Sequence, residues 1–194
     1  HTRAMEDVRI ALIGNSFASK IQLPALRWAG GNKVIGIAGK DAEKAKKTAE
    51  EWDIPFATDK WRELLDLDAD LFIITTPVNL HRDMVLAVYE STDAAILCEK
   101  PFCMDREEAT EIANAADDRL FLIDHQLRWS PWRRALREEL QAGTIGDPWR
   151  GRVEMLIGSK ERIEHPYTWW YDANRGGGIP VSYTHLTLPT INWV

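Results

Sequence analysis

The sequence predicts an α/β protein built on a doubly wound parallel sheet, followed by the incomplete start of a second, α+β domain. Three observations carry this. Short apolar runs recur along the first 124 residues, each is followed by a stretch whose apolar residues return every three or four positions, and the two patterns alternate. Strands buried on both faces and joined by helices form parallel sheets, because every crossover lays a helix over one face.

Taken in order, Val8 to Ile13 is an apolar strand, Ala18 to Trp28 has helical spacing, and Lys33 to Ala38 returns to strand, which is one βαβ unit. Asp41 is placed to cap a helix carrying Ala42, Ala45, Ala49 and Trp52 on one face. After Pro55-Phe56-Ala57, Trp61 to Leu67 reads as a short helix, and Leu71 to Thr75 as the next buried strand. A helix from about Asn79 to Glu90, a strand from Ala94 to Cys98, a helix opened by Asp105 with Glu108 three residues on, and a strand from Leu120 to Ile123 continue the alternation. A helix running past Leu136 ends at Gly143-Thr144-Ile145-Gly146. Trp149 to Ile157 then opens a strand with Arg150, Arg152 and Glu154 interleaved, as suits a sheet with one polar face.

With 194 residues, 45% of them hydrophobic, the chain fills one domain and part of another. A net charge of −6 with both signs mixed argues against a nucleic-acid partner. No apolar stretch is long enough for a bilayer, no signal peptide pattern opens the chain, and a cytoplasmic location is expected. Cys98 and Cys103 lack zinc spacing, so no metal site is expected and both read as packing residues. His1-Thr2-Arg3-Ala4 reads as a non-native leader. The string 181–190, VSYTHLTLPT, resembles a translated sequencing adapter, so the tail 181–194, with Tyr183 and His185, is set aside as non-native. The expected layout is therefore leader 1–4, nucleotide domain 5–124, truncated second domain 125–180 and tail 181–194.

In a doubly wound sheet ligands bind beyond the carboxyl ends of the strands. The first such turn, Gly14-Asn15-Ser16-Phe17-Ala18-Ser19, keeps one glycine of the Gly-x-Gly-x-x-Gly pattern and puts serines at the other two positions. Serine is small enough for the backbone to approach a pyrophosphate, and its hydroxyl donates to phosphate oxygens at a helix start. The second strand ends in Ala38-Gly39-Lys40, without the carboxylate that accepts ribose hydroxyls in NAD-specific enzymes. Gly39 is expected to leave room for a 2′-phosphate and Lys40 to pair with it, which favours NADP over NAD. Lys100, directly after the apolar run Ala94-Ala95-Ile96-Leu97, is a lysine at the mouth of a core strand. Desolvation there favours its neutral form and suits it to proton transfer.

Thr75-Thr76-Pro77-Val78-Asn79-Leu80-His81 after one strand, Cys98-Glu99-Lys100-Pro101 after the next and Arg128-Trp129-Ser130-Pro131 beyond the last resemble the Gfo/Idh/MocA oxidoreductases. The resemblance runs from about Val8 to Gly178. It implies a Rossmann domain followed by an open α/β domain, bound NAD or NADP, and hydride transfer at a hydroxyl or carbonyl carbon of a sugar, cyclitol or similar compound. By that resemblance Lys100 is the catalytic lysine. Gly14, Asn15, Ser16, Phe17 and Ala18 lie at the pyrophosphate, Lys40 at the adenosine ribose, and Thr76, Pro77 and His81 along the middle of the dinucleotide. Glu99 contacts the nicotinamide ribose, and Gln126 and Arg128 lie near nicotinamide or substrate. The residues alone leave other roles open: His81 capping or packing on its helix, Arg128 pairing with a surface acid, Gln126 satisfying strand backbone. In Trp169-Trp170-Tyr171 ahead of Gly176-Gly177-Gly178, Trp169 is a candidate substrate contact, while Trp170 stands where the family often has arginine. The family's Asp-x-Gly-x-His has no match in 179–194, so the chain is expected to be an inactive fragment of a homo-oligomeric parent. The alternative is a non-catalytic dinucleotide sensor of the same fold.

Overall fold

A computed structural model describes residues 7–150 and 172–175. The leader 1–4, the expected strand beyond Arg150, Trp169 and Trp170, the triple glycine and the tail 181–194 lie outside the described residues. Six parallel strands form one sheet: β1 (Val8–Ile13), β2 (Asn32–Ala38), β3 (Phe56–Thr58), β4 (Leu71–Ile74), β5 (Ala95–Glu99) and β6 (Phe121–Asp124), in the spatial order β3-β2-β1-β4-β5-β6. The order reverses between β1 and β4, which makes their carboxyl ends the switch-point crevice. Ile13 is in register with Ala38 and with Ile74, Ile74 with Cys98, and Glu99 with Asp124. The turns after β1, β2, β4 and β5 therefore open along one edge, where β6 also ends.

The two-residue period of the strands divides the core into two layers. Ile10, Leu12, Ile37 and Ile73 face one way and pack with Leu23, Ala49 and Ile54. Ala11, Ile13, Phe72, Ile74, Ile96 and Cys98 face the other, against Met84, Val85, Val88, Ile112 and Ala116. The first layer is closed by α1 (Leu23–Ala29) and α2 (Ala42–Trp52), the second by α3 (His81–Ser91) and α4 (Arg106–Ala116). Ahead of α1 the helix opens with a π turn, Ala18–Gln22, in which the Leu23 N–H donates to the Ala18 carbonyl.

Local chemistry explains the starts. Asp41 accepts from the Lys44 N–H at 3.1 Å, and Asp105 from the Glu108 N–H at 2.9 Å, while the Glu108 carboxylate accepts from the Met104 N–H at 2.9 Å. On α2 the expected buried stripe shifts. Ala42 is exposed, and Ala45, Thr48 and Ala49 are buried, because the cap at Asp41 turns the first residue toward solvent. The stretch after β3 is a 3-10 helix, Trp61–Asp66, whose Leu64 reaches the core; with Leu67 it closes over Gly36. The chain divides into two compact units, His1–Asp124 and His125–Val194; the second carries a 3-10 turn, Gln126–Trp129, and α5 (Pro131–Gln141). Among the described residues no helix is long and apolar enough to cross a membrane, and no group of His, Cys, Asp and Glu could hold a metal ion.

Candidate functional site

The turn after β1 is shaped by two close approaches. Gly14 has φ +112°, a conformation that L side chains rarely adopt, and a Cβ there would stand 2.4 Å from the Thr75 Oγ1. Its N–H donates to the Ala38 carbonyl at 2.9 Å, while the Thr75 hydroxyl donates toward the Ile13 and Gly14 carbonyls at 3.3 and 3.1 Å. The glycine thus lets β1, β2 and β4 converge at one point. Beyond it Ser16 is exposed, Phe17 is half-buried, and Ala18 is fully buried with its methyl group in the first core layer. The Asn15 Oδ1 is buried and takes no hydrogen bond from any donor among the described residues. A buried acceptor of this kind is left for a donor that the described residues do not supply, as a ribose hydroxyl would. Together with a backbone corner that admits no side chain, it fits the hydroxyls and phosphates of a dinucleotide.

The room expected beside Gly39 is not open. Asn15 fills it, since a Cβ on Gly39 would lie 2.8 Å from the Asn15 Cβ. Gly39 is needed for the approach of the first turn, and only the missing carboxylate and the exposed Lys40 remain to bear on a 2′-phosphate.

At the other end of the edge the groups are ionisable, with Glu99 buried and Lys100 and Asp124 half-buried. Glu99, the last residue of β5, is 7% exposed, and its Oε2 accepts from the Lys100 backbone N–H at 3.2 Å. Its carboxyl group neighbours that of Asp124, which ends β6 in the register position opposite. Burial, and then the neighbouring Asp124, pushes the Glu99 carboxyl up to about 8, against the opposing pull of Lys100. The Lys100 ammonium is held below the usual lysine range by burial, with Glu99 and Asp124 pulling the other way. The Lys100–Pro101 peptide is cis.

Between the two corners lies the loop after β4. His81 is fully buried, with its Nδ1 3.0 Å from the Pro101 carbonyl and its Nε2 2.8 Å from the Thr76 carbonyl. Burial lowers its pKa. The turns after β4 and β5 close over the ring, which ties one to the other. Thr76 and Pro77 are partly exposed, and the Thr76 hydroxyl donates to the Met84 sulfur at 3.3 Å. Gln126 and Arg128 belong to the second unit, on the 3-10 turn. Arg128 is exposed, and the Gln126 Oε1 is buried without a donor among the described residues. Trp169 lies outside the described residues.

Two participants were missed in the sequence reading. Asp124 is one residue past the expected end of its strand. Gln22 sits on the π turn, and its Nε2 donates to the Asp124 Oδ2 at 2.8 Å, across 102 residues of chain. The carboxyl-end rule pointed at Asp124; nothing local pointed at Gln22.

Residues 8–121 match the model of an oxidoreductase family with an NAD-binding Rossmann fold. A 1,5-anhydro-D-fructose reductase of Ensifer adhaerens is 34% identical over 96% of this chain and 56% of its own length. An NAD binding oxidoreductase from Klebsiella pneumoniae superposes with a TM-score of 0.75 at 24% identity, over 90% of this chain and 50% of that one. A 3-ketoreductase from Actinomadura kijaniata, solved in complex with NADP, gives a TM-score of 0.65 at 26% identity, covering 73% and 46%. The chain spans about half the length of the curated relatives it matches.

Proposed function

Because the chain belongs to the Gfo/Idh/MocA oxidoreductases, whose hallmark is the NAD-binding Rossmann fold, we propose that residues 5–124 bind a pyridine nucleotide, NADPH in preference to NADH. In this reading Lys100 moves the proton at a hydroxyl or carbonyl carbon of a sugar- or cyclitol-like substrate. Residues from 125 begin the domain that completes the substrate side.

One observation carries the reading: a corner that excludes any side chain at Gly14 and a half-buried lysine after Glu99 open on the same carboxyl edge of the sheet. Gly14, Asn15, Ser16, Phe17 and Ala18 would hold the pyrophosphate through backbone and hydroxyl donors. Thr76 and Pro77 would line the passage that His81 fixes from beneath, and Lys40 would meet the adenosine ribose. A carboxylate at that last position would repel a 2′-phosphate, and its absence supports NADP. When bound, the nicotinamide supplies or accepts the hydride. Lys100, partly desolvated, gives or takes the hydroxyl proton, and the negative charge shared by Glu99 and Asp124 limits how far its pKa falls. Gln126, Arg128 and Trp169 would flank nicotinamide or substrate. The sugar reductase and the ketoreductase among the similar proteins support a polyhydroxylated substrate.

Binding is the property to measure first. Titration of NADPH and NADH into the chain, followed by fluorescence, should show saturable binding with NADPH the tighter, and none in Gly14→Val. Failure of both nucleotides to bind would remove the proposal; equal affinities would remove only the NADP preference.

A further inference from the structure

We propose that Glu99 and Asp124 hold a single proton between their carboxyl groups, that the Gln22 amide fixes it on the Glu99 side, and that Gln22 and Asp124 are thereby positioning residues that set the charge facing Lys100. The inference rests on the reading of Lys100 as the acid/base group, and it concerns residues to which that reading gives no part.

The geometry requires a proton. Two strand-end carboxyl groups meet in register, one of them 7% exposed. The Glu99 Oε1 is buried with no N–H or O–H donor among the described residues, and it belongs to the carboxyl in contact with Asp124. Two ionised carboxylates in such contact repel strongly, whereas a carboxylic acid against a carboxylate makes a short, charge-assisted hydrogen bond. The donor set decides which side keeps the proton. Gln22, itself only 7% exposed, gives its N–H to the Asp124 Oδ2 at 2.8 Å, and a hydrogen bond to a carboxylate oxygen stabilises the carboxylate over the acid. Among the described residues Glu99 receives only the Lys100 backbone N–H, at the longer 3.2 Å. The other ionisable groups at hand are Lys100 on the same turn and the buried Cys98 thiol one residue back, which burial keeps protonated.

The consequence for Lys100 is a step in its surroundings. While the pair keeps its proton, the lysine faces one negative charge. Once the pair has lost it, the lysine faces two and holds its own proton more tightly. The pair thus works as a buffer that limits loss of the lysine proton as pH rises, and Gln22 links that buffer to the helix that starts at the Gly14 turn.

The test is a titration of the whole chain, labelled with 13C at glutamate side-chain carboxyls and read by NMR without nucleotide, with Glu99→Gln identifying the signal. Wild type should show one glutamate midpoint well above the ordinary carboxylate range. Asp124→Asn should lower it by at least tenfold in proton affinity, because the like charge is gone. Gln22→Leu should raise it, because the anion loses its donor. Opposite shifts from two neighbours of one network are not what a packing role produces. In parallel, acetylation of Lys100 by acetic anhydride, followed by mass spectrometry across pH, should begin at lower pH in Asp124→Asn than in wild type. A Glu99 midpoint in the ordinary range, or one unmoved by Asp124→Asn, overturns the proposal. If Asp124→Asn does not fold, the Gln22→Leu shift decides alone, a rise supporting the shared proton and no change refuting it. Nucleotide is absent throughout, so a chain that binds no dinucleotide would sink the cofactor reading and leave this result standing.

Discussion

The two halves of the sheet's carboxyl edge are built by opposite means. At β1 and β2 the edge is made of shape: a glycine with φ +112°, a second glycine under Asn15, small residues and one exposed lysine. At β5 and β6 it is made of charge: Glu99, Lys100 and Asp124, two of them with displaced proton affinities. The first half suits a ligand whose phosphates need donors and close approach. The second suits a step in which a proton changes hands. The contrast teaches that a nucleotide corner can be built from residues of low individual cost, whereas a proton-transfer corner stores unfavourable burial that the rest of the fold must offset.

Substitutions that sharpen this contrast differ in size. The largest effect is expected on the shape side. Gly14→Ala puts a Cβ against Thr75 in a backbone conformation alanine resists, and should cost on the order of 4 kcal/mol in urea unfolding and abolish nucleotide binding. His81→Ala, at the boundary between the halves, removes a buried ring and leaves the carbonyls of Thr76 and Pro101 without it; a loss of about 2–3 kcal/mol is expected. A result near zero would mean that the two turns do not depend on the ring.

On the charge side the signature is pH. Glu99 rises in the fold from 4.5 to about 8, so between those values the folded chain keeps a proton that the unfolded chain has released. Its contribution to stability is present below the lower value and is lost as pH rises through the upper one. Urea midpoints compared at both ends of that window should fall with pH in wild type, and Glu99→Gln should flatten the fall. An unchanged slope would return Glu99 to an ordinary carboxylate. The smallest effect belongs to the exposed cation: Lys40→Ala should weaken NADPH about tenfold, leave NADH alone and change stability by less than about 0.5 kcal/mol. Equal weakening of both nucleotides would detach Lys40 from the 2′-phosphate.

The sequence made the sheet legible because each strand is a short apolar run and each helix start carries its own signal, as at Asp41 and at Asp105 with Glu108. Lys100 was legible for the same reason: an ammonium placed after Ile96 and Leu97 is conspicuous. What stayed hidden depends on groups far apart in sequence. Asn15 over Gly39 turned an expected opening into a packed contact, and no local pattern reports which side chain lies above a glycine. The burial of His81 between two turns was not legible either, because Thr76 and Pro101 meet its ring only in the folded chain. Gln22 and Asp124 meet only after the first helix has packed on the sheet. The wide buried face predicted for α2 failed at Ala42 because a capped first residue faces water.

The π turn at Ala18–Gln22 carries one residue more than a regular helical path would need between the glycine corner and Leu23. That surplus residue makes loop length, not only residue type, a determinant of the proton site. Excising the exposed Lys20 would close the bulge into a regular turn, and Gln22, which lies inside it, would change its direction by up to about 100° relative to the residues on either side. Gln22 and the glycine corner could then no longer both keep their places, so a single-codon deletion in a surface stretch would sever the phosphate-facing end of the molecule from its acid pair.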